Sequence, residues 1–401
     1  MRVLQICYKP PYPPVDGGTM GMHCITKGLL SCGHEVKVLT VSSAKHPVKL
    51  RECDEEYRRR TEFESVEIDL SIHPVAAAVA LLCGESYNVK RFESKAFGEK
   101  IESVLRAETY DMIQVESIFL APYLPLIRRV CKTPVVMRAH NVEYRIWKQL
   151  AQTTKEPLKR WYLKKLALSL RAYELEKVND FDGIICVSEN DAAMFRSEGC
   201  RRPIMVRPFG IDPIERSGVA VEAKSLFHIG AMDWQPNIDG VKWFLQSVWP
   251  LLHKELPEVR LYLAGRKMPD ELKEAQIEGV EVVGEVADSA EFIASKQINV
   301  VPLLAGSGIR VKIIEAMELG KTVIATTTAA DGIEYVDGEE LLIADTPEQF
   351  VEQVRRCIAE PEMAKEIGEK AHRLVRTKYD NNVLTERMTE FYNKIIEKTL
   401  L

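Results

Sequence analysis

The chain has 401 residues, with 54 Lys and Arg against 59 Asp and Glu, a net charge of -5 and 46% hydrophobic residues. That length exceeds what one hydrophobic core supports and points to two domains. The composition excludes disordered, coiled-coil and disulfide-scaffold classes, and the charge balance gives no general reason to bind nucleic acid, so any anion site has to be local.

The opening segment MRVLQICYKPPYPP joins a basic residue to a short apolar run, but prolines stand where a signal peptide needs its small-residue cleavage site. Residues 3–6 instead predict a buried parallel strand, and the Val- and Ile-rich runs 36–41, 112–115, 135–138 and 184–187 repeat the pattern. Helices predicted at 92–107 and 158–178 supply crossovers, which makes the first half an open doubly wound α/β sheet. The apolar stretch 75–83 is less than half of the roughly 20 residues a membrane span needs, so no transmembrane helix is expected. Nine cysteines, at 7, 24, 32, 53, 83, 131, 186, 200 and 357, form no CxxC pair, and a reduced cytoplasmic setting is expected.

At 207–225 the pattern breaks into RPFGIDPIERSGVAVEAKS, rich in Pro and Gly, which predicts a linker. A second parallel sheet then follows from the runs 226–229, 260–264, 280–283, 299–303, 322–325 and 341–343. The predicted domains are 1–208 and 209–380. Residues 381–401 are expected to form a charged helix that packs back on the first domain, with Val383, Met388, Phe391 and Ile395 as its apolar stripe.

In open α/β sheets ligands bind beyond the carboxyl ends of the strands, so the loops there hold the candidate chemistry. The first, PPYPPVDGGTMGMH, brings Asp16, Gly17 and Gly18 to the start of a helix running to residue 30. Paired glycines admit close approach of a phosphate or sugar to backbone N–H groups; a simple chain reversal would use them equally well. The second, LLAGSGIRVKIIEAMELGKTVIAT, opens with Gly306, Ser307 and Gly308 before a helix predicted at 309–319. A helix amino terminus with Arg310 and Lys312 beside it makes a diphosphate cradle. Ser307 and Glu315, eight residues apart, would lie about 12 Å apart on one helical face. The alternative is a plain Lys312–Glu315 pair with Arg310 solvated.

The second segment resembles the donor-binding motif of the retaining GT-B glycosyltransferases called glycosyl transferases group 1, or family 4. HIGAMDWQPNIDGVKWF, LYLAGR, VVGEV, DGG and RAHNVEY are similar to one branch of that family, in the expected order across both halves. The resemblance implies two Rossmann-like domains facing a cleft, acceptor side first and nucleotide-sugar side second. It implies a metal-independent, hexosyltransferase-type enzyme with no cofactor, using a nucleotide-diphosphate sugar as donor and a glycan or lipid-linked hydroxyl as acceptor, with retention of configuration. Polysaccharide or glycolipid synthesis on the cytoplasmic side is the expected setting. Glu315 then binds the ribose, Arg310 and Lys312 the diphosphate, Gly17 and Gly18 the donor phosphates or sugar, and His140 lies near the transferring sugar.

Two departures stand out. Ser307 occupies the place of the motif's first Glu, and DWQPN, with Asp233, Trp234, Pro236 and Asn237, replaces the Arg and Lys usual after the first strand of the second domain. Arg138, Arg266 and Lys267 are the candidates to replace that charge, and Glu143 is a candidate to orient His140, to contact acceptor or to cap the next helix. Arg160, Lys164 and Arg171 share a helical stripe beside Trp161 and Tyr162. That stripe is either a solvated face or a weak peripheral contact with anionic lipid at the inner face of a membrane. The open alternatives on the same architecture are a nucleotide-sugar epimerase, a sugar phosphorylase, and a non-catalytic nucleotide-sugar-binding partner subunit.

Overall fold

A computed structural model describes residues 1–48, 53–214, 218–306 and 309–400. The chain divides into two compact units, Met1–Gly210 with Asn381–Leu401, and Ile211–Asp380.

The first unit is built on a seven-stranded parallel sheet: β1 (Arg2–Cys7), β2 (Glu35–Ser42), β3 (Glu64–Glu67), β4 (Met112–Glu116), β5 (Val135–Ala139), β6 (Gly183–Cys186) and β7 (Ile204–Val206), in the order β3-β2-β1-β4-β5-β6-β7. The central strands are buried on both faces, as parallel strands covered by helices must be, and their apolar runs are therefore nearly unbroken. The sheet's two edge strands, β3 (ESVE) and β7 (IMV), are the ones missing from the sequence expectation. Each is short and half exposed, so neither carries the apolar signature.

The second unit holds a six-stranded parallel sheet of β8 (Ser225–Ile229), β9 (Arg260–Ala264), β10 (Val280–Gly284), β11 (Ile298–Val301), β12 (Thr322–Ala325) and β13 (Leu342–Ile343), in the order β10-β9-β8-β11-β12-β13. Both sheets thus start at a central strand, run outward to one side, then restart on the other. The reversal falls between β1 and β4 in one unit and between β8 and β11 in the other. Those are the switch points at which such sheets bind ligands.

Three expectations need correction. Arg207, placed at the start of the linker, is fully buried and donates from Nη2 to Asn381 Oδ1 (2.8 Å) and Thr385 Oγ1 (3.3 Å) of the C-terminal helix Asn381–Leu400. It is an anchor, because a buried guanidinium must find acceptors. The apolar stripe of that helix is Leu384, Met388, Tyr392 and Ile395, with Phe391 at its margin; Val383 lies half a turn off it. The helix predicted at 309–319 is shorter, Val311–Glu318, with Arg310 as its N-cap. The expected placement of Ser307 and Glu315 on one helical face falls on a residue that the structure does not describe. Ser307 and Gly308 themselves lie outside the described residues.

Candidate functional site

In the first unit the loop after β1 is drawn tight by its own side chains. Lys9 Nζ bonds both carboxylate oxygens of Asp16 at 2.8 and 2.7 Å. Asp16 in turn caps the helix Gly17–Ser31, accepting from the Thr19 N–H while Thr19 Oγ1 accepts from the Asp16 N–H. Gly17 and Gly18 are the first two helical residues. A Cβ on Gly18 would stand 2.9 Å from the Tyr8 hydroxyl and 3.0 Å from Lys9 Nζ, so a larger residue there would displace these two side-chain ends; Gly17 faces open space.

His140 follows β5, and Glu116 ends β4, the neighbouring strand, which borders the switch point. His140 Nε2 lies 2.9 Å from Glu116 Oε2, and Arg138 Nη1 lies 3.2 Å from the same oxygen and 3.2 Å from both ring nitrogens. Glu116 is fully buried. Burial alone would raise its pKa, but Arg138 and the bonds from His140 and Gln5 outweigh that and hold it down at about 2. Burial, with Arg138 adding to it, lowers the pKa of His140 below its ordinary value despite Glu116. The imidazole is thus neutral at pH 7, donates from Nε2 to the carboxylate and keeps Nδ1 as an acceptor. Glu116 Oε1 accepts from Gln5 Nε2 (2.7 Å) and from Gln114, whose amide oxygen accepts from the Tyr392 hydroxyl of the C-terminal helix.

Glu116 is therefore the group that orients His140, in place of Glu143. Glu143 begins the helix Glu143–Thr153, and burial raises its pKa to about 7. It does not cap that helix: the buried Glu174 carboxylate accepts from the Glu143 and Tyr144 N–H groups at 3.0 and 3.2 Å. Burial also raises Glu174, to about 8.

In the second unit the residues converge on the switch point of the second sheet. His228, on β8, bonds through Nδ1 to the carbonyl of Val300 on β11 at 2.9 Å. A carbonyl only accepts, so Nδ1 carries the proton and Nε2 is left as an acceptor, 3.3 Å from Lys312 Nζ. Lys312 Nζ also donates to Asn237 Oδ1 at 2.6 Å, while Asn237 Nδ2 donates to the Ala231 carbonyl at 2.8 Å, which fixes the orientation of the amide. Both partners of Lys312 are neutral, since burial and then Lys312 itself push the His228 pKa well down. Burial, with Arg310 adding to it, lowers the Lys312 pKa to about 7. The alternative, a Lys312–Glu315 ion pair, does not form.

Arg310 is buried with its guanidinium carbon 5.3 Å from the centroid of the Trp234 ring, so it is not solvated. Gly306, at φ +126°, lies against the same pair: a Cβ there would meet Arg310 Nη2 at 2.7 Å. Glu315 is half-buried, burial raises its pKa to about 7, and no hydrogen bond or ion pair to a described residue offsets that.

The DWQPN segment thus supplies no cation of its own; it supplies the ring beneath Arg310 and the amide on Lys312. Of the candidate replacement cations, Arg266 and Lys267 share Asp233 of this same segment, at 3.8 and 3.1 Å, and Arg138 is held in the buried Glu116 cluster of the first unit. Sequence reasoning missed Glu116, Gln5, Gln114, Tyr392 and His228. The one available signal was that Glu116 and His228 are polar residues inside otherwise apolar strands. Among the described residues there is no group of three or more His, Cys, Asp or Glu arranged to hold a metal ion.

Known proteins place the chain. The profile of Glycosyltransferase Family 4 matches residues 15–215, and that of Glycosyl transferases group 1 matches residues 223–360. An uncharacterized 44.6 kDa protein in the cps region of Klebsiella pneumoniae is 22% identical over 398 residues, 95% of this chain and 97% of the relative. Among solved structures, sucrose-phosphate synthase from Thermosynechococcus elongatus superposes with a TM-score of 0.67 at 14% identity, covering 99% of this chain and 100% of that one. HepE of Anabaena, solved in complex with UDP, gives 0.66 at 15% identity over 98% and 100% of the two chains. With two parallel sheets of the GT-B architecture and both halves matched in order, the chain belongs to glycosyltransferase family 4, whose second half is the glycosyl transferases group 1 domain.

Proposed function

We propose that the protein transfers a sugar from a nucleotide-diphosphate sugar to a hydroxyl acceptor with retention of anomeric configuration, in the assembly of a polysaccharide or glycolipid. The observation that carries this is Lys312: a half-buried lysine beside Arg310 whose partners, His228 and Asn237, are both neutral. A lysine withdrawn from water for structural reasons alone is paired with a carboxylate. Here the missing anion is the donor diphosphate, seated at the start of the helix Val311–Glu318 at the sheet's switch point. Glu315 accepts the ribose hydroxyls. The first unit, with His140 and the glycine loop, is assigned the transferring sugar and the acceptor. That the structural relative HepE was solved with UDP makes UDP the first nucleotide to test.

During transfer the bond from the anomeric carbon to the donor phosphate oxygen breaks and the bond to the acceptor oxygen forms on the same face. The acceptor's proton passes to the leaving phosphate. Charge grows on that phosphate, and Arg310, Lys312 and the helix start are preorganised against it. Because these cations meet the charge, turnover is expected to persist undiminished in excess chelator; full loss restored by Mg²⁺ or Mn²⁺ would contradict metal independence.

The test is calorimetric titration with UDP, GDP and ADP at pH 8 in buffers of different ionisation enthalpy. Free Lys312, with its pKa near 7, is mostly neutral at that pH, and a bound diphosphate raises it back toward its ordinary 10.5. Binding is therefore expected to take up close to one proton per site. Below about pH 6 the uptake vanishes because Lys312 is already charged. The Lys312→Met chain should show no uptake at pH 8. Binding without proton uptake in the parent would place the diphosphate away from Lys312.

A further inference from the structure

The first unit carries a surface that its own fold does not explain. The antiparallel helices Glu143–Thr153 and Pro157–Lys177 pack together, and the second buries Leu163, Leu166, Ala167, Leu170 and Glu174. At 100° per residue these five span one side of the helix, and Leu158, Trp161 and Leu168 fall within about 80° of each other on the opposite side. All three are strongly exposed, at 80%, 51% and 61%. An amphipathic helix in a soluble protein puts polar residues there.

The charges around this face are of one sign. Residues 144–173 contain eight Lys and Arg and one acidic residue, Glu156, in a chain whose net charge is -5. On the helical wheel Lys165 sits between Leu158 and Trp161, with Lys164 and Arg160 at the flank. None of these three makes an ion pair with a described residue, whereas Arg171 is held by Glu198 and Lys159 by Glu156. Beside them the uncharged helix Pro74–Leu82 packs Ala77 and Ala80 against Leu166 and turns Val75 outward at 78% exposure, with Ile72 just before it at 71%. Exposed apolar side chains in this number on two helices packed together are not explained by solubility.

We propose that this face docks on the surface of an anionic lipid bilayer. Leu158, Trp161 and Leu168 enter the headgroup–acyl boundary, and the unpaired Arg160, Lys164 and Lys165 meet lipid phosphates. The association is peripheral, since among the described residues no helix is long and apolar enough to cross a membrane. The surface lies wholly within the first unit, so its test is independent of the nucleotide site.

The experiment is vesicle flotation of the full chain with phosphatidylcholine vesicles and with mixed phosphatidylcholine–phosphatidylglycerol vesicles. The parent is expected to float with the mixed vesicles and to be released by high salt. The Leu158→Ser/Trp161→Ser/Leu168→Ser chain and the Lys164→Glu/Lys165→Glu chain should each lose at least about tenfold in partitioning. Both substitute exposed positions, and a circular dichroism spectrum and thermal unfolding midpoint unchanged from the parent report that each variant is folded. Equal flotation with neutral and anionic vesicles, or full binding by the triple variant, overturns the proposal. So does lipid-independent self-association of the parent that the triple variant abolishes, which would assign the face to a second copy of the chain.

Discussion

The Arg310→Ala chain is expected to bind its nucleoside diphosphate at least about 100-fold more weakly than the parent, a loss of about 2.7 kcal/mol. Arg310 offers a planar fork of donors already held against Trp234, so a phosphate pays little to order it. Arg310→Lys is expected to recover only a small part, because an ammonium neither stacks on the indole nor bonds two oxygens in parallel. Glu315→Ala should cost roughly 10- to 100-fold, the value of hydrogen bonds from two hydroxyls to a charged acceptor. Calorimetry with UDP, GDP and ADP measures all three, with thermal unfolding to show that each chain is intact. If neither substitution changes the affinity, the donor lies elsewhere. If the parent binds none of the nucleotides at about 1 mM, the serine at position 307 marks a lost donor site and the partner-subunit alternative moves ahead.

Glu116→Ala is expected to destabilise the first unit by about 3–5 kcal/mol, since it leaves the guanidinium of Arg138 buried and uncompensated. In a unit of this size that corresponds to a fall of roughly 10 °C in the unfolding midpoint, measured by calorimetry. Combining Glu116→Gln with Arg138→Met removes both charges while keeping most of the volume, and should restore the midpoint to near that of the parent. It will not restore turnover. The amide at position 116, unlike the carboxylate, can donate as well as accept, so it no longer selects the Nε2–H tautomer of His140, and kcat should fall by about 100-fold while nucleotide affinity in the second unit is unchanged. If the double variant turns over like the parent, Glu116 is a structural residue only.

The parts of the molecule visible in the sequence are those with a local cause. Apolar runs marked the central strands because both faces of a parallel sheet are covered. The edge strands β3 and β7 were invisible because a short, half-exposed strand has no such run. Asp16 with Gly17 and Gly18 announced a helix start, and Gly306 with Arg310 and Lys312 announced a strand-to-helix loop of the kind proposed to bind phosphate. The buried polar cluster around His140 had no such local cause. Glu116, Gln5, Gln114 and Tyr392 are spread over nearly the whole chain, and they meet only because β1 and β4 are neighbours in the sheet and the C-terminal helix lies against them.

By itself, then, the sequence determined the two parallel sheets, the strand-end loops proposed to bind the donor and the residue types gathered in them, since strand burial and turn chemistry are written in neighbouring positions. Only the tertiary structure decided which of those residues are charged and whom they face. Lys312 lies 84 residues from His228 and 75 from Asn237, and its loss of charge comes from burial among neutral partners. Ionisation depends on distance and solvent access, and for groups this far apart in the chain both exist only once the sheet has formed.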